Sequence, residues 1–99
     1  MIIIRNVFRL KFGEAKAVKA LIPEFKALNK KHGMTGTRAL MDLTGESYIL
    51  VFESGHASLA DFESKLQTIF GDAEWGKLYE KFKPYIKSGY REIFTVVDD

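Results

Sequence analysis

The sequence predicts an α+β fold in a single domain, 1–99: a four-stranded antiparallel sheet with helices on one face. Three observations lead there. Apolar runs suited to strands open and close the chain, "IIIRNVFRLKF" and "GYREIFTVV". Between them, segments on either side of a central hairpin repeat apolar residues every three or four positions. The hairpin itself is marked by two extended runs flanking Thr44-Gly45-Glu46, with a glycine at the turn.

The elements follow in order. Ile2 to Phe12 reads as a strand stopped by Gly13. Glu14 to His32 reads as helix one, with Val18, Leu21, Ile22, Phe25 and Leu28 on its apolar side. Lys30, Lys31 and His32 sit at the negative end of its dipole, and Gly33 stops it. Pro23 lies inside that helix and predicts a kink. "TGTRALMDL" and "SYILVF" are the hairpin strands. Ser58, three before Asp61, caps helix two, which carries Leu59, Phe62, Leu66, Ile69 and Phe70. Gly71-Asp72 ends it, and Asp72 caps helix three, which runs until Pro84. The last strand starts at Gly89. This is a split β-α-β order with one extra short helix.

Composition narrows the function classes. A chain with 46% hydrophobic and 28% charged residues is globular, neither disordered nor membrane-spanning. The absence of cysteine excludes a disulfide framework, thiolate metal sites and a cysteine nucleophile. The apolar run before Arg5 is too short for a leader peptide or a membrane span, so the expected compartment is the cytoplasm. Fifteen basic residues against thirteen acidic ones, without a dense Lys/Arg stripe, argue against nucleic acid as a partner. "IIIR" and "YILVF" are apolar on both parities, whereas a lone sheet with one wet face should alternate. A second copy's sheet would cover the other face, so a homodimer is expected.

Candidate site residues come from parity and spacing. Asn6 shares a strand face with Ile4 and Phe8, the face assigned to the helices. A polar amide there either bonds to neighbouring backbone or meets a ligand. Trp75, Tyr79, Phe82 and Tyr85 recur at helical spacing in "FGDAEWGKLYEKFKPY". Such a stripe is core in the first instance, but the polar tips of Trp75, Tyr79 and Tyr85, with Tyr48, could line a cavity. On the opposite strand parity Arg5 should pair with Glu53, while Arg9 should fall near Arg91. Two like charges so placed need an acidic partner or an anionic ligand. His56, in "SGHAS", is expected to be a solvent-exposed loop residue, with a general base as its functional reading. His32 is read as a favourable charge at a helix end. No phosphate loop, dinucleotide fingerprint, HExxH or GxSxG is present, and two distant histidines do not make a transition-metal site.

The order of elements resembles the dimeric α+β barrel superfamily, in which two ferredoxin-like sheets face each other. "IIIRNVFRLKFGEAKAVKAL" resembles the arginine-bearing first strand and helix one of its NIPSNAP-like branch, and "GDAEW" is similar to that branch's acidic residue before a tryptophan. A weaker resemblance runs to the antibiotic-biosynthesis-type monooxygenases. The superfamily implies cofactor-free monooxygenases, haem-degrading oxygenases, haem-dependent enzymes and members of unknown function. Asn6 matches the strand-one asparagine of the haem-degrading group. Trp75 falls later than that group's tryptophan, however, and no histidine follows it, so no cofactor is called for. Three functions are consistent with this reading: binding of a small apolar or aromatic, optionally anionic, molecule between sheet and helices; cofactor-independent oxygenase or isomerase chemistry in the same pocket; or a structural module with a filled interior.

Overall fold

Alternation of Ile2, Ile4, Phe8 and Leu10 with Ile3, Arg5, Val7 and Arg9 gives β1 (Ile2–Leu10) two distinct faces. The computed structural model describes residues 1–34 and 36–98. After β1 come α1 (Ala15–Lys19), α2 (Ile22–Lys31), β2 (Arg38–Met41), β3 (Ile49–His56), α3 (Leu59–Phe70), α4 (Ala73–Phe82), a 3₁₀ turn at Lys83–Tyr85 and β4 (Ile86–Thr95). The strands form one sheet in the order β2-β3-β1-β4, antiparallel throughout, with α2, α3 and α4 over one face. This is the α+β, ferredoxin-like architecture expected from the sequence.

Helix one is not continuous. α1 ends at Lys19, and α2 restarts with Pro23 in its first turn. Proline at that position cannot donate to the Lys19 carbonyl four residues back, and its ring crowds that oxygen. The chain therefore breaks before the proline instead of kinking at it. The two later caps form as expected: Ser58 Oγ accepts from the Asp61 N–H at 3.1 Å, and Asp72 Oδ1 accepts from the Glu74 N–H at 2.8 Å.

Boundaries of all four strands differ from the sequence reading; β1 ends at Leu10, two residues short of Phe12. β2 begins at Arg38; Thr35, where the sequence placed its start, lies outside the described residues. β3 continues past Phe52 to His56, because residues 53–56 pair with Ile2–Arg5. β4 begins at Ile86, ahead of Gly89. Gly89 sits within the strand, opposite Phe8, where an added Cβ would lie 2.8 Å from the Phe8 ring. Glycine there makes room for the ring and does not start the strand.

The helix-covered face holds two core clusters. One contains Leu10, Val18, Phe25, Leu28, Leu50, Leu78 and Phe82; the other contains Ile4, Met34, Phe62 and Ile69. Trp75 packs against both. The opposite face of the sheet carries Ile3, Val7, Leu40, Ile49, Val51, Tyr90 and Phe94, interrupted by an Arg5–Glu53–Arg38 row. Tyr90 is 58% and Phe94 47% exposed there, which fits the sequence observation that both parities of the strands are apolar.

Candidate functional site

Between the two core clusters the helices stand off the sheet and leave a cleft of about 410 Å³. Its floor is Asn6 and Phe8 of β1, Phe52 and Ser54 of β3, and Arg91 of β4. Phe25, Phe62, Leu66, Ile69, Trp75, Tyr79 and Phe82 make its walls, and Lys26 stands among the lining residues from α2. The volume falls in the range of small-molecule sites, which are commonly apolar with a few converging polar groups.

One wall is rigid and aromatic. Phe82 meets Phe8 and Phe25 edge-on at 5.2 and 5.1 Å between ring centroids. Phe52 lies 5.2 Å from Phe25. On α4 the four-residue spacing puts Trp75 and Tyr79 on one side, where their rings stack at 5.0 Å and 13°. Phe70 adds a tilted contact to Trp75 at 4.8 Å.

The polar part of the floor is an amide and a guanidinium. Asn6 and Arg91 are directly opposite in the β1–β4 pair, and Arg91 Nε donates to Asn6 Oδ1 at 2.7 Å. Because arginine has no acceptor, this bond fixes which way the amide faces and leaves the Asn6 Nδ2 donors free of it. The Arg91 guanidinium also lies over the Phe62 ring, 5.2 Å from its centroid. The amide oxygen is thus bound by a side chain.

The expected Arg9–Arg91 juxtaposition does not occur. Arg9 faces Ser88 in the register, projects from the opposite side of the sheet, and pairs with Glu46. Starting β4 at Ile86, with a register shift between Arg9 and Leu10, moves Arg91 against Asn6. Arg5 does pair with Glu53, at 3.3 Å, and Arg38 shares the same carboxylate at 2.7 Å. Of the other sequence candidates, Trp75 and Tyr79 line the cleft with Asn6 and Arg91. Tyr48 and Tyr85 instead pack against the larger core cluster, Tyr48 with a positive φ of 61° and its ring 5.0 Å from Phe12.

His56 is a correction of a different kind. It is the last residue of β3 and only 2% exposed, not a loop residue in solvent. Its Nε2 lies 2.8 Å from Ser54 Oγ, its ring 5.0 Å from Phe62, and its Nδ1 3.8 Å from Asp61 Oδ2. Burial is the main cause holding its pKa below the ordinary 6.5; the Lys65 charge acts the same way and Asp61 opposes them. Ser54 escaped the sequence reading altogether. The period-two spacing of Ser54 and His56 was the available signal, hidden by ending the strand at Phe52.

His32 is bound more specifically than a helix-end charge. Its Nε2 lies 2.6 Å from Asp72 Oδ2, which also accepts from Lys31 Nζ at 3.0 Å. The His32 hydrogen bond, then Lys31 and the Glu74 N–H, hold the Asp72 carboxyl well below its ordinary value. This clamp ties the end of α2 to the start of α4 and fixes the cleft's aromatic wall. Among the described residues no group of three His, Asp or Glu side chains could hold a metal ion, and no helix is long and apolar enough to cross a membrane.

The sheet order and the covering helices define the chain as a ferredoxin-like α+β domain with an apolar cleft between sheet and helices. Its structural neighbours are NIPSNAP family proteins and, at lower similarity, antibiotic biosynthesis monooxygenase-like proteins. A NIPSNAP family protein from Agrobacterium tumefaciens superposes with a TM-score of 0.90 at 18% identity, covering 98% of this chain and 93% of that one. A second from the same bacterium, of unknown function, gives 0.87 at 19% identity over 95% and 86%. A proposed antibiotic biosynthesis monooxygenase from Caulobacter crescentus gives 0.75 at 14% identity over 98% and 90%. At such identities the likeness is one of fold. No protein-family model matches the chain, and no curated protein matches it in sequence.

Proposed function

We propose that the protein is a homodimer that binds a small apolar or aromatic molecule in the cleft, with an acceptor or anionic group of that molecule held by Asn6 and Arg91. One observation carries the reading: a cleft of about 410 Å³ with aromatic walls has a hydrogen-bonded amide–guanidinium pair in its floor. Arg91 is solvent-exposed, so it carries its charge at the cleft without a desolvation cost and keeps its remaining guanidinium donors available there. Trp75 and Tyr79 sandwich the apolar part against Phe8 and Phe52. Nδ2 of Asn6 and the terminal nitrogens of Arg91 supply donors for an oxygen. Dimerisation is supported by the open sheet face, where Val7 and Val51 are flanked by exposed Tyr90 and Phe94. Patches of this kind mark association surfaces.

A second reading uses the same pocket. The donors at Asn6 and Arg91 would stabilise negative charge developing on a substrate oxygen, as a cofactor-independent monooxygenase or isomerase requires. The fold-level likeness to the Caulobacter crescentus monooxygenase-like protein favours it over other chemistries.

Native mass spectrometry of gently purified protein tests the proposal. A dimer carrying a reproducible small adduct, lost in Arg91→Ala, is the expected result. A clean monomer would overturn the dimer, and an adduct that persists unchanged in Asn6→Ala and Arg91→Ala would remove the assigned site.

A further inference from the structure

We infer that Ser54, His56 and Asp61 form a nucleophile, base and orienting carboxylate at the wall of the cleft, able to cleave esters of small apolar or aromatic acids by acyl transfer. The inference rests on the ligand-binding reading of the cleft and adds a reaction to it. Ser54 and His56 are two apart on β3, so both side chains project from the helix-covered face. Ser54 is 7% exposed and lines the cleft; its Oγ is 2.8 Å from His56 Nε2. His56 Nδ1 is buried with no hydrogen-bond partner, and the partly exposed Asp61 carboxylate faces it at 3.8 Å.

An unpaired nitrogen on a buried ring calls for an explanation, because such groups are nearly always satisfied. With the proton on Nδ1, the ring faces Asp61 with a donor and leaves Nε2 as an acceptor for the Ser54 hydroxyl. Protonation of Nε2 during reaction makes the ring cationic and draws the Nδ1–H and the Asp61 carboxylate together. Base contacts in unliganded sites are often longer than in the reacting complex. A serine and histidine that only satisfied each other would leave Nδ1 unexplained; the Asp61 Oδ2 facing it also accepts from Lys65 Nζ at 3.2 Å, which holds the carboxylate ionised beside the ring.

The step balances without a cofactor. Ser54 Oγ bonds to the ester carbonyl carbon while its proton moves to His56 Nε2. The carbonyl oxygen becomes negative near Asn6 and Arg91, since Asn6 sits one same-face position along β1 from the partner of Ser54. The bond to the alcohol oxygen then breaks, and that oxygen takes the proton from Nε2. Water attacks the acyl-serine by the same route, releasing the acid and restoring Oγ–H. The charged groups facing His56 are Asp61 and Lys65 of α3, while its β1 partner is Ile2. Burial keeps the ring unprotonated at neutral pH, so Nε2 is free to accept the Ser54 proton.

Diisopropyl fluorophosphate on the full-length protein tests this, read by intact mass and peptide mapping. The expected result is one adduct per chain on Ser54, absent in Ser54→Ala. Its rate should fall as pH drops below 6.5 into the His56 range. His56→Gln should slow it about a hundredfold or more, and Asp61→Asn about tenfold. The wild-type pH profile and the surface Asp61→Asn variant keep the test decisive should His56→Gln fail to fold. An adduct on a tyrosine, or a pH-independent rate, overturns the proposal. So does an unlabelled Ser54 in protein whose cleft still takes up an apolar dye, an outcome that spares the binding reading; loss of both signals sinks the two together.

Discussion

The two ends of the helix-covered face share one sheet and one set of helices, yet they are built differently. Behind the aromatic wall of the cleft the space is closed: Phe8, Phe25 and Phe52 surround the Phe82 ring, which is 2% exposed, and Leu10, Val18 and Leu50 complete the cluster. Around Asn6 and Arg91 it is open and polar. The closed end fixes the fold, and the open end is free to carry chemistry. The difference lies in side-chain identity at equivalent strand positions: Phe8 opposite Gly89 fills one site, whereas Asn6 opposite Arg91 leaves the next one polar.

Substitutions at the closed end should break the fold first. Phe82→Ala removes the ring at the centre of the aromatic cluster and should cost about 3–5 kcal/mol in urea unfolding. A cost under about 1 kcal/mol would mean that the cluster does not bear the stability assigned to it. Gly89→Ala should follow at about 1–3 kcal/mol, because its Cβ meets the Phe8 ring and must displace it. Its deficit should shrink in a Phe8→Leu background, which a double-mutant cycle measures directly.

At the open end stability should hardly respond while binding does. Arg91→Ala should leave the unfolding midpoint nearly unchanged and weaken an aromatic carboxylate by about tenfold or more, the loss of a charge-assisted hydrogen bond. Arg91→Lys should recover little of that, since the Nε contact to Asn6 needs a guanidinium. Isothermal titration separates the two variants.

The smallest effect is on acid stability. Both Asp72 and His56 have depressed pKa values, so the unfolded chain binds more protons than the folded one at low pH. Stability present above the unfolded values should therefore fall as pH drops, first below 6.5 for His56 and then below 3.8 for Asp72. Asp72→Asn should remove the second part of that loss and leave the first. Urea midpoints measured across the acid range would show an unchanged profile if the α2–α4 clamp were idle.

Much of this was legible in the sequence because periodicity and caps are local. Ser58 and Asp72 announced α3 and α4, and the strand parities put Asn6 on the helix side. Strand ends were less legible: a glycine reads as a stop, whether it turns the chain or, like Gly89, accommodates a facing ring. That ambiguity misplaced β4, and with it Arg91. Ending β3 at Phe52 in the same way hid Ser54 and put His56 in solvent. Long-range register depends on what packs across the sheet, and no single segment carries that information.

Trp75 is the chain's only tryptophan and lies in the cleft wall, so its emission reports on the site directly. Titration with an aromatic carboxylate such as 1-naphthoate should give a saturable change in Trp75 fluorescence with one site per chain, weakened about tenfold or more in Arg91→Ala. An unsaturable response, or equal affinity in the wild type and Arg91→Ala, would contradict the claim that the open end is a ligand site organised by Asn6 and Arg91.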